Sequence, residues 1–105
     1  MRESQYQNKL IKKLNDLFPG CVIVRNDPRH IQGIPDILIL YHDMWAGLEI
    51  KMSSTSSIQP NQEYYVNLLN GMSFASFINP DNEEDVLNDL QRTFGFTRAT
   101  RLSQS

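Results

Sequence analysis

A chain of 105 residues, 40% of them hydrophobic and 21% charged, is long enough for one domain around one apolar core and too short for a catalytic domain plus an accessory one. Its net charge of −2 argues against gripping nucleic acid by bulk positive charge alone. No apolar run approaches the roughly 18 residues of a membrane span, and Met1-Arg2-Glu3-Ser4-Gln5 lacks a signal-peptide core, so an intracellular protein away from membranes is expected. The single Cys21 cannot form an internal disulfide and reads as a small buried apolar residue.

Charge is unevenly placed. Arg2, Lys9, Lys12, Lys13, Arg25 and Arg29 face only Glu3, Asp16 and Asp27 in the first thirty residues, whereas Asp81, Glu83, Glu84, Asp85 and Asp89 cluster without a base. One end is therefore suited to phosphates and the other to water, although two solvated helix faces of opposite sign give the same pattern.

In chain order, Tyr6, Leu10, Leu14 and Leu17 recur at helical steps and predict a helix over about residues 4–18, stopped by Pro19-Gly20. Two readings stand for its start. If the helix reaches back to Glu3, that carboxylate joins the core-facing stripe; if Ser4 caps it with Gln7 as capping-box partner, Glu3 is solvated. Residues 21–25 read as a strand and 26–32, with Pro28, as a loop. The continuous apolar run 37–41 predicts a strand buried on both faces, His42-Asp43 a turn, and 45–52 the next strand.

Residues 53–57 form a polar connector. Pro60 opens a helix to about Asn70 that Gly71 is placed to end. Ser73 to Ile78 reads as a fourth strand, and Asp81 with Glu84 as a capping box for a last helix carrying Val86, Leu87 and Leu90. The order α-β-β-β-α-β-α implies an α/β fold with a mixed central sheet flanked by helices, as one domain spanning 1–105. The tail from Gly95, with Phe96, Arg98 and Arg101, carries no pattern that places it.

The chemistry concentrates between Gly33 and Lys51. Strand alternation puts Glu49 and Lys51 on one side and Leu48 and Ile50 on the other, with Gly47 leaving space beside the carboxylate. Such a charged pair among apolar residues is costly to cover unless paired or metal-bound. Asp36 stands at the mouth of the apolar strand, held extended by Pro35. If 37–41 and 46–52 pair antiparallel, Asp36 meets Glu49 and Lys51. Oxygen ligands of this kind suit Mg²⁺, and His30 and His42 have no spacing for zinc. A surface salt bridge built of the same residues is the competing reading.

Gln62 shares a helix face with Tyr65 and Leu69 and is expected to point inward, either to bind backbone or to adjoin the site. Tyr64 and Tyr65 are candidates for stacking on bases, at least one of them being core.

Gly33-Ile34-Pro35-Asp36, the apolar strand, Gly47-Leu48-Glu49-Ile50-Lys51 and a proline-opened helix with Gln62 together resemble the VRR-NUC branch of the PD-(D/E)XK nuclease superfamily, over about Glu3 to Ile78. The resemblance implies a restriction-endonuclease-like core and a Mg²⁺-dependent DNA endonuclease, with Mn²⁺ able to substitute. By position it makes Asp36 and Glu49 metal ligands, the Ile50 carbonyl a further one, Lys51 the catalytic lysine, Gln62 the glutamine of the following helix, and Glu3 an acidic site residue of the first helix. Small members of this kind, mostly phage or bacterial, resemble Holliday-junction resolvases. Branched DNA is then the expected substrate and, since two strands must be cut symmetrically, a homodimer the expected form. A monomeric nickase or flap nuclease and a non-catalytic DNA-binding module are the alternatives. The 53–57 connector is more serine-rich than that family's usual turn.

Overall fold

The structure, a computed structural model, describes residues 1–53 and 55–103, with backbone alone beyond Gly95. It contains α1 (Glu3–Leu17), β1 (Val22–Arg25), β2 (Ile37–Tyr41), β3 (Met44–Ile50), α2 (Pro60–Met72), β4 (Phe74–Ile78) and α3 (Glu83–Ser103). The predicted element order holds. The strands lie in the order β1-β2-β3-β4, with β1–β2 and β2–β3 antiparallel and β3–β4 parallel. Among the described residues no helix is long and apolar enough to cross a membrane.

One face of the sheet carries the core. Ile37 and Ile39 of β2, Met44, Ala46, Leu48 and Ile50 of β3, and Ile78 of β4 pack against Tyr6, Leu10 and Leu14 of α1 and Val86, Leu87, Leu90 and Phe94 of α3. Each such aliphatic side chain contributes about 1.5–3 kcal/mol by leaving water. The opposite face is covered only in part, because α2 packs on β4 and β3, with Val66 its one buried residue. The expectation that 37–41 is buried on both faces is therefore corrected: Leu40, Val22 and Val24 stay exposed where no helix covers them.

Helix ends differ from the sequence reading in instructive ways. α1 starts at Glu3 with Arg2 as N-cap, and the Arg2 N–H donates to Gln5 Oε1 at 3.0 Å, so the Ser4–Gln7 capping box does not form. α2 runs through Gly71 to Met72, with Ser73 as its C-cap at φ −149° and ψ −106°, outside the helical region. α3 begins after a reciprocal asparagine pair rather than the Asp81–Glu84 box. Asn79 Oδ1 accepts the N–H groups of Asp81 and Asn82, both at 2.8 Å, while Asn82 Oδ1 accepts that of Asn79 at 2.7 Å. The tail expected from Gly95 is a continuation of α3 to Ser103; the Phe96, Arg98 and Arg101 side chains lie outside the described ones.

Gly33 fixes where α2 begins. Its φ is 91°, and a Cβ there would stand 2.8 Å from the Asn61 carbonyl carbon and oxygen, so the loop before Asp36 lies directly on the first turn of α2. Gly20 has a similar φ of 88° but nothing within 4 Å. Gly33→Ala should therefore cost backbone strain plus a clash, about 2–3 kcal/mol, against about 1 kcal/mol of strain alone for Gly20→Ala. Urea unfolding of the two variants checks this, and equal midpoints would show that the Gly33–Asn61 contact holds nothing in place.

Candidate active site

The β2–β3 register assembles the site. Ile37 pairs with Leu48, so Asp36, one residue before β2, stands opposite Glu49. Paired residues of antiparallel strands point to the same face. Ladder pairing has given way here to a side-chain link: the Ile50 N–H donates to Asp36 Oδ2 at 2.8 Å. That bond fixes one carboxylate oxygen of Asp36.

Glu49 is 4% exposed, a burial level rare for a carboxylate. Burial, then a hydrogen bond to the Asp36 carboxyl and its negative charge, push its pKa up to about 8, with Glu3 adding to the rise and the Lys51 ammonium opposing it. Burial also raises the Glu3 carboxyl, helped by the charge of Asp36 and countered by Lys51. Three carboxyl groups and one ammonium thus feel one another, though they come from α1, the β2 approach and the end of β3. α1 reaches back to Glu3, as the first of the two sequence readings required, but the Glu3 side chain stays exposed instead of joining the core-facing stripe.

Lys51 follows β3 directly, half-buried, and its N–H donates to the Ile78 carbonyl at 2.9 Å. The asparagine pair at the start of α3 secures that end of β4, because Asn82 Nδ2 also donates to the Phe77 carbonyl at 3.3 Å. The expected space beside Glu49 at Gly47 is filled: a Cβ at Gly47 would be 3.3 Å from Pro35 Cγ. Gly47 therefore seats Pro35, and with it the approach to Asp36.

Gln62 is engaged otherwise than expected. Its Oε1 accepts the Gln59 N–H at 3.0 Å, closing a capping box on α2, so its carbonyl end serves the helix. The Gln59-Pro60-Asn61-Gln62 spacing carried that signal. Asp36 and Glu49 touch, with Lys51 and Glu3 within electrostatic reach of them, whereas the Gln62 carbonyl end bonds its own helix.

Asn26 escaped notice in the sequence as one residue of a polar loop. Its N–H donates to the Asp36 carbonyl at 2.9 Å and its Nδ2 to the Pro35 carbonyl at 2.7 Å. No pattern of spacing pointed to it.

Of the basic residues expected to face phosphates, Arg29 pairs with Asp27 at 2.9 Å and Lys13 with Glu83, while Arg25 donates to Asn8 Oδ1 at 2.7 Å. Exposed pairs such as Arg29–Asp27 contribute little to stability. Tyr64 is exposed and stands edge-on to Tyr65, 5.1 Å between ring centres; contrary to expectation neither ring is fully buried. Cys21 is half-buried and its burial pushes the thiol up, as for an inert cysteine. A groove of about 580 Å³ runs between α1 and α3 among Asp16, Asp81, Glu83 and Glu84 and includes none of the site residues. Its acidic lining is unsuited to DNA.

Among the described residues no three His, Cys, Asp or Glu side chains converge closely enough to cage a metal by themselves. A hard cation does not require that: Mg²⁺ is commonly held by one or two carboxylates and keeps several waters. Two carboxyl groups in contact, one buried and short of counter-charge, are a donor set that fits it. His42 sits in the hairpin turn at the far end of the β2–β3 pair from Asp36 and Glu49, and His30 is exposed in the loop before it.

No protein-family model matches the sequence, and neither a curated protein nor a solved structure matches the chain.

Proposed function

We propose that this chain is a Mg²⁺-dependent DNA endonuclease with a restriction-endonuclease-like core of the VRR-NUC kind, acting on branched DNA as a homodimer. The observation that supports it is the buried Glu49 carboxyl against Asp36, with Lys51 within electrostatic reach. A structural ion pair needs one carboxylate per ammonium. A second, repelling carboxylate is tolerated where a cation is to be bound.

Asp36 and Glu49 would hold the cation, with Glu3 and the Ile50 carbonyl as further oxygen donors by the resemblance. Bound there, Mg²⁺ supplies Lewis acidity toward the phosphodiester and toward water. Lys51 would orient the attacking water, and its ammonium would offset charge growing on the phosphoryl oxygens. Attack breaks the P–O3′ bond and leaves 5′-phosphate and 3′-hydroxyl ends. Exposed Tyr64 offers a stacking surface for an unpaired base.

The test is incubation with labelled four-way junction, flap, nicked and linear duplex DNA, in Mg²⁺ and in chelator. Metal-dependent cleavage preferring the junction is the expected result, and no cleavage of any substrate overturns the reading. A monomer by light scattering at micromolar concentration would turn the proposal toward a nickase or flap nuclease. DNA binding without cleavage or a metal-induced rise in Tm would turn it toward a binding module. Lys51→Ala should lose cleavage by about a hundredfold or more while keeping the Mg²⁺-induced rise in Tm, because the side chain serves the attacking water and the growing phosphoryl charge and not the cation. Wild-type cleavage rates in that variant would remove Lys51 from the mechanism.

A further inference from the structure

The affinity of a two-carboxylate seat depends on how firmly each carboxylate is aimed, and Asp36 lies outside the regular strand. Its backbone is held by one residue from another element. Asn26, the first residue past β1, donates to both carbonyls that flank the Asp36 Cα: its N–H to the Asp36 carbonyl at 2.9 Å and its Nδ2 to the Pro35 carbonyl at 2.7 Å. Pro35 is fixed in φ by its ring and rests on Gly47. With both adjoining peptides pinned, the Asp36 side chain is left only its own torsions, and Ile50 N–H settles those at 2.8 Å. Of these anchors, the Asn26 amide is the one a substitution removes while the backbone bonds stay.

We infer that Asn26 is the positioning residue of the Asp36 carboxylate and sets the divalent-cation affinity of the Asp36–Glu49 pair. The inference rests on the metal site proposed above. Partners that orient metal ligands from one bond away typically change metal affinity 10–100-fold when removed. Asn26 acts through the Pro35–Asp36 peptide.

The experiment measures Mn²⁺ binding by calorimetry, independent of catalysis, and the Mg²⁺ dependence of cleavage, on wild type, Asn26→Ala and Asn26→Asp. The aspartate keeps the side-chain shape and sets an oxygen against the Pro35 carbonyl oxygen. Both variants should bind Mn²⁺ about tenfold or more weakly. The Mg²⁺ concentration for half-maximal cleavage should rise by a similar factor, with kcat at saturating Mg²⁺ and KM for DNA near wild type. Gly20→Ala, mildly strained and outside the site, is the control for lost stability and should bind Mn²⁺ as wild type does. Wild-type Mn²⁺ affinity in both Asn26 variants overturns the inference while leaving the nuclease reading intact. A wild-type protein that binds no Mn²⁺ overturns both. Should Asn26→Ala fail to fold, Asn26→Asp carries the same measurement.

Discussion

Asp36→Asn should abolish Mg²⁺-dependent cleavage, by well over about a hundredfold, and leave the metal-free protein at least as stable as wild type. The first half follows because Asp36 contributes a ligand itself, whereas residues that merely orient a ligand already cost up to about a hundredfold. The second half follows from what Asp36 does in the fold. Its Oδ2 accepts the Ile50 N–H, and an asparagine Oδ1 of the same shape can accept it too, so no donor is orphaned. Meanwhile one of two repelling carboxylates beside buried Glu49 is gone. Asp36→Ala separates these effects: it also loses cleavage, but it leaves the Ile50 N–H unpaired and should cost about 1–3 kcal/mol. Chemical unfolding with a parallel cleavage assay reads both quantities. An asparagine variant that cuts at wild-type rate would falsify the assignment of Asp36 as a ligand.

Glu49→Gln should also abolish cleavage, and it should stabilise the metal-free protein increasingly as pH rises. Burial and Asp36 raise the Glu49 pKa from the ordinary 4.5 to about 8. Between those values the native state keeps a proton that the unfolded chain has released, so wild-type stability falls as pH climbs from about 5 to 8 and levels off above. Each unit of raised pKa is worth about 1.4 kcal/mol, and after relaxation the loss is on the order of 2 kcal/mol. Glu3, raised in the same direction, adds to the slope. Glutamine carries no such proton, can still donate to the Asp36 carboxylate, and flattens the curve.

Mg²⁺ acts in the opposite sense on wild type. The cation binds the ionised pair, so its stabilising effect should grow across that window and its uptake should release protons below about pH 8. Thermal melts from pH 5 to 9, with and without Mg²⁺, show the pattern. A wild type whose stability rises with pH over that range would mean that Glu49 is not the repelled, buried acid described here. A gain in stability that removes function is the ordinary consequence of a site held together against charge repulsion.

How far such a site can be read from sequence depends on which interactions are local. The meeting of Asp36 with Glu49 was legible because an apolar run, a two-residue turn and a second apolar run leave one sensible pairing, and pairing dictates who stands opposite whom. Glu3 was only half legible. Helix starts depend on caps, and Arg2, with Gln5 answering its N–H, won over Ser4 with Gln7. Gln62 was misread in emphasis: facing inward at helical spacing does not distinguish a side chain aimed at a site from one bonding its own helix start. Asn26 was illegible, since a side chain bonding a backbone carbonyl nine residues away leaves no periodic trace. The two-sided burial expected of β2 failed for a different reason. A continuous apolar run reports that a strand avoids water, but not that α2 packs mainly on β3 and β4 and leaves Leu40 at 39% exposure beside Val22 and Val24.

The hairpin turn at His42-Asp43 holds a final consequence. It joins Tyr41 directly to Met44 as partners, with His42 at a positive φ of 56°, and so counts out the register of the whole β2–β3 ladder. Side chains alternate strictly along a strand, so a slip of one residue exchanges the two faces. One residue inserted in that turn, some 20 Å from Asp36 at about 3.3 Å per residue, would carry Ile50 or Leu48 to the place of Glu49 and drive the carboxylate into the core. The remote turn is the ruler that sets Asp36 against Glu49, and its length matters to the candidate site as much as the acids themselves.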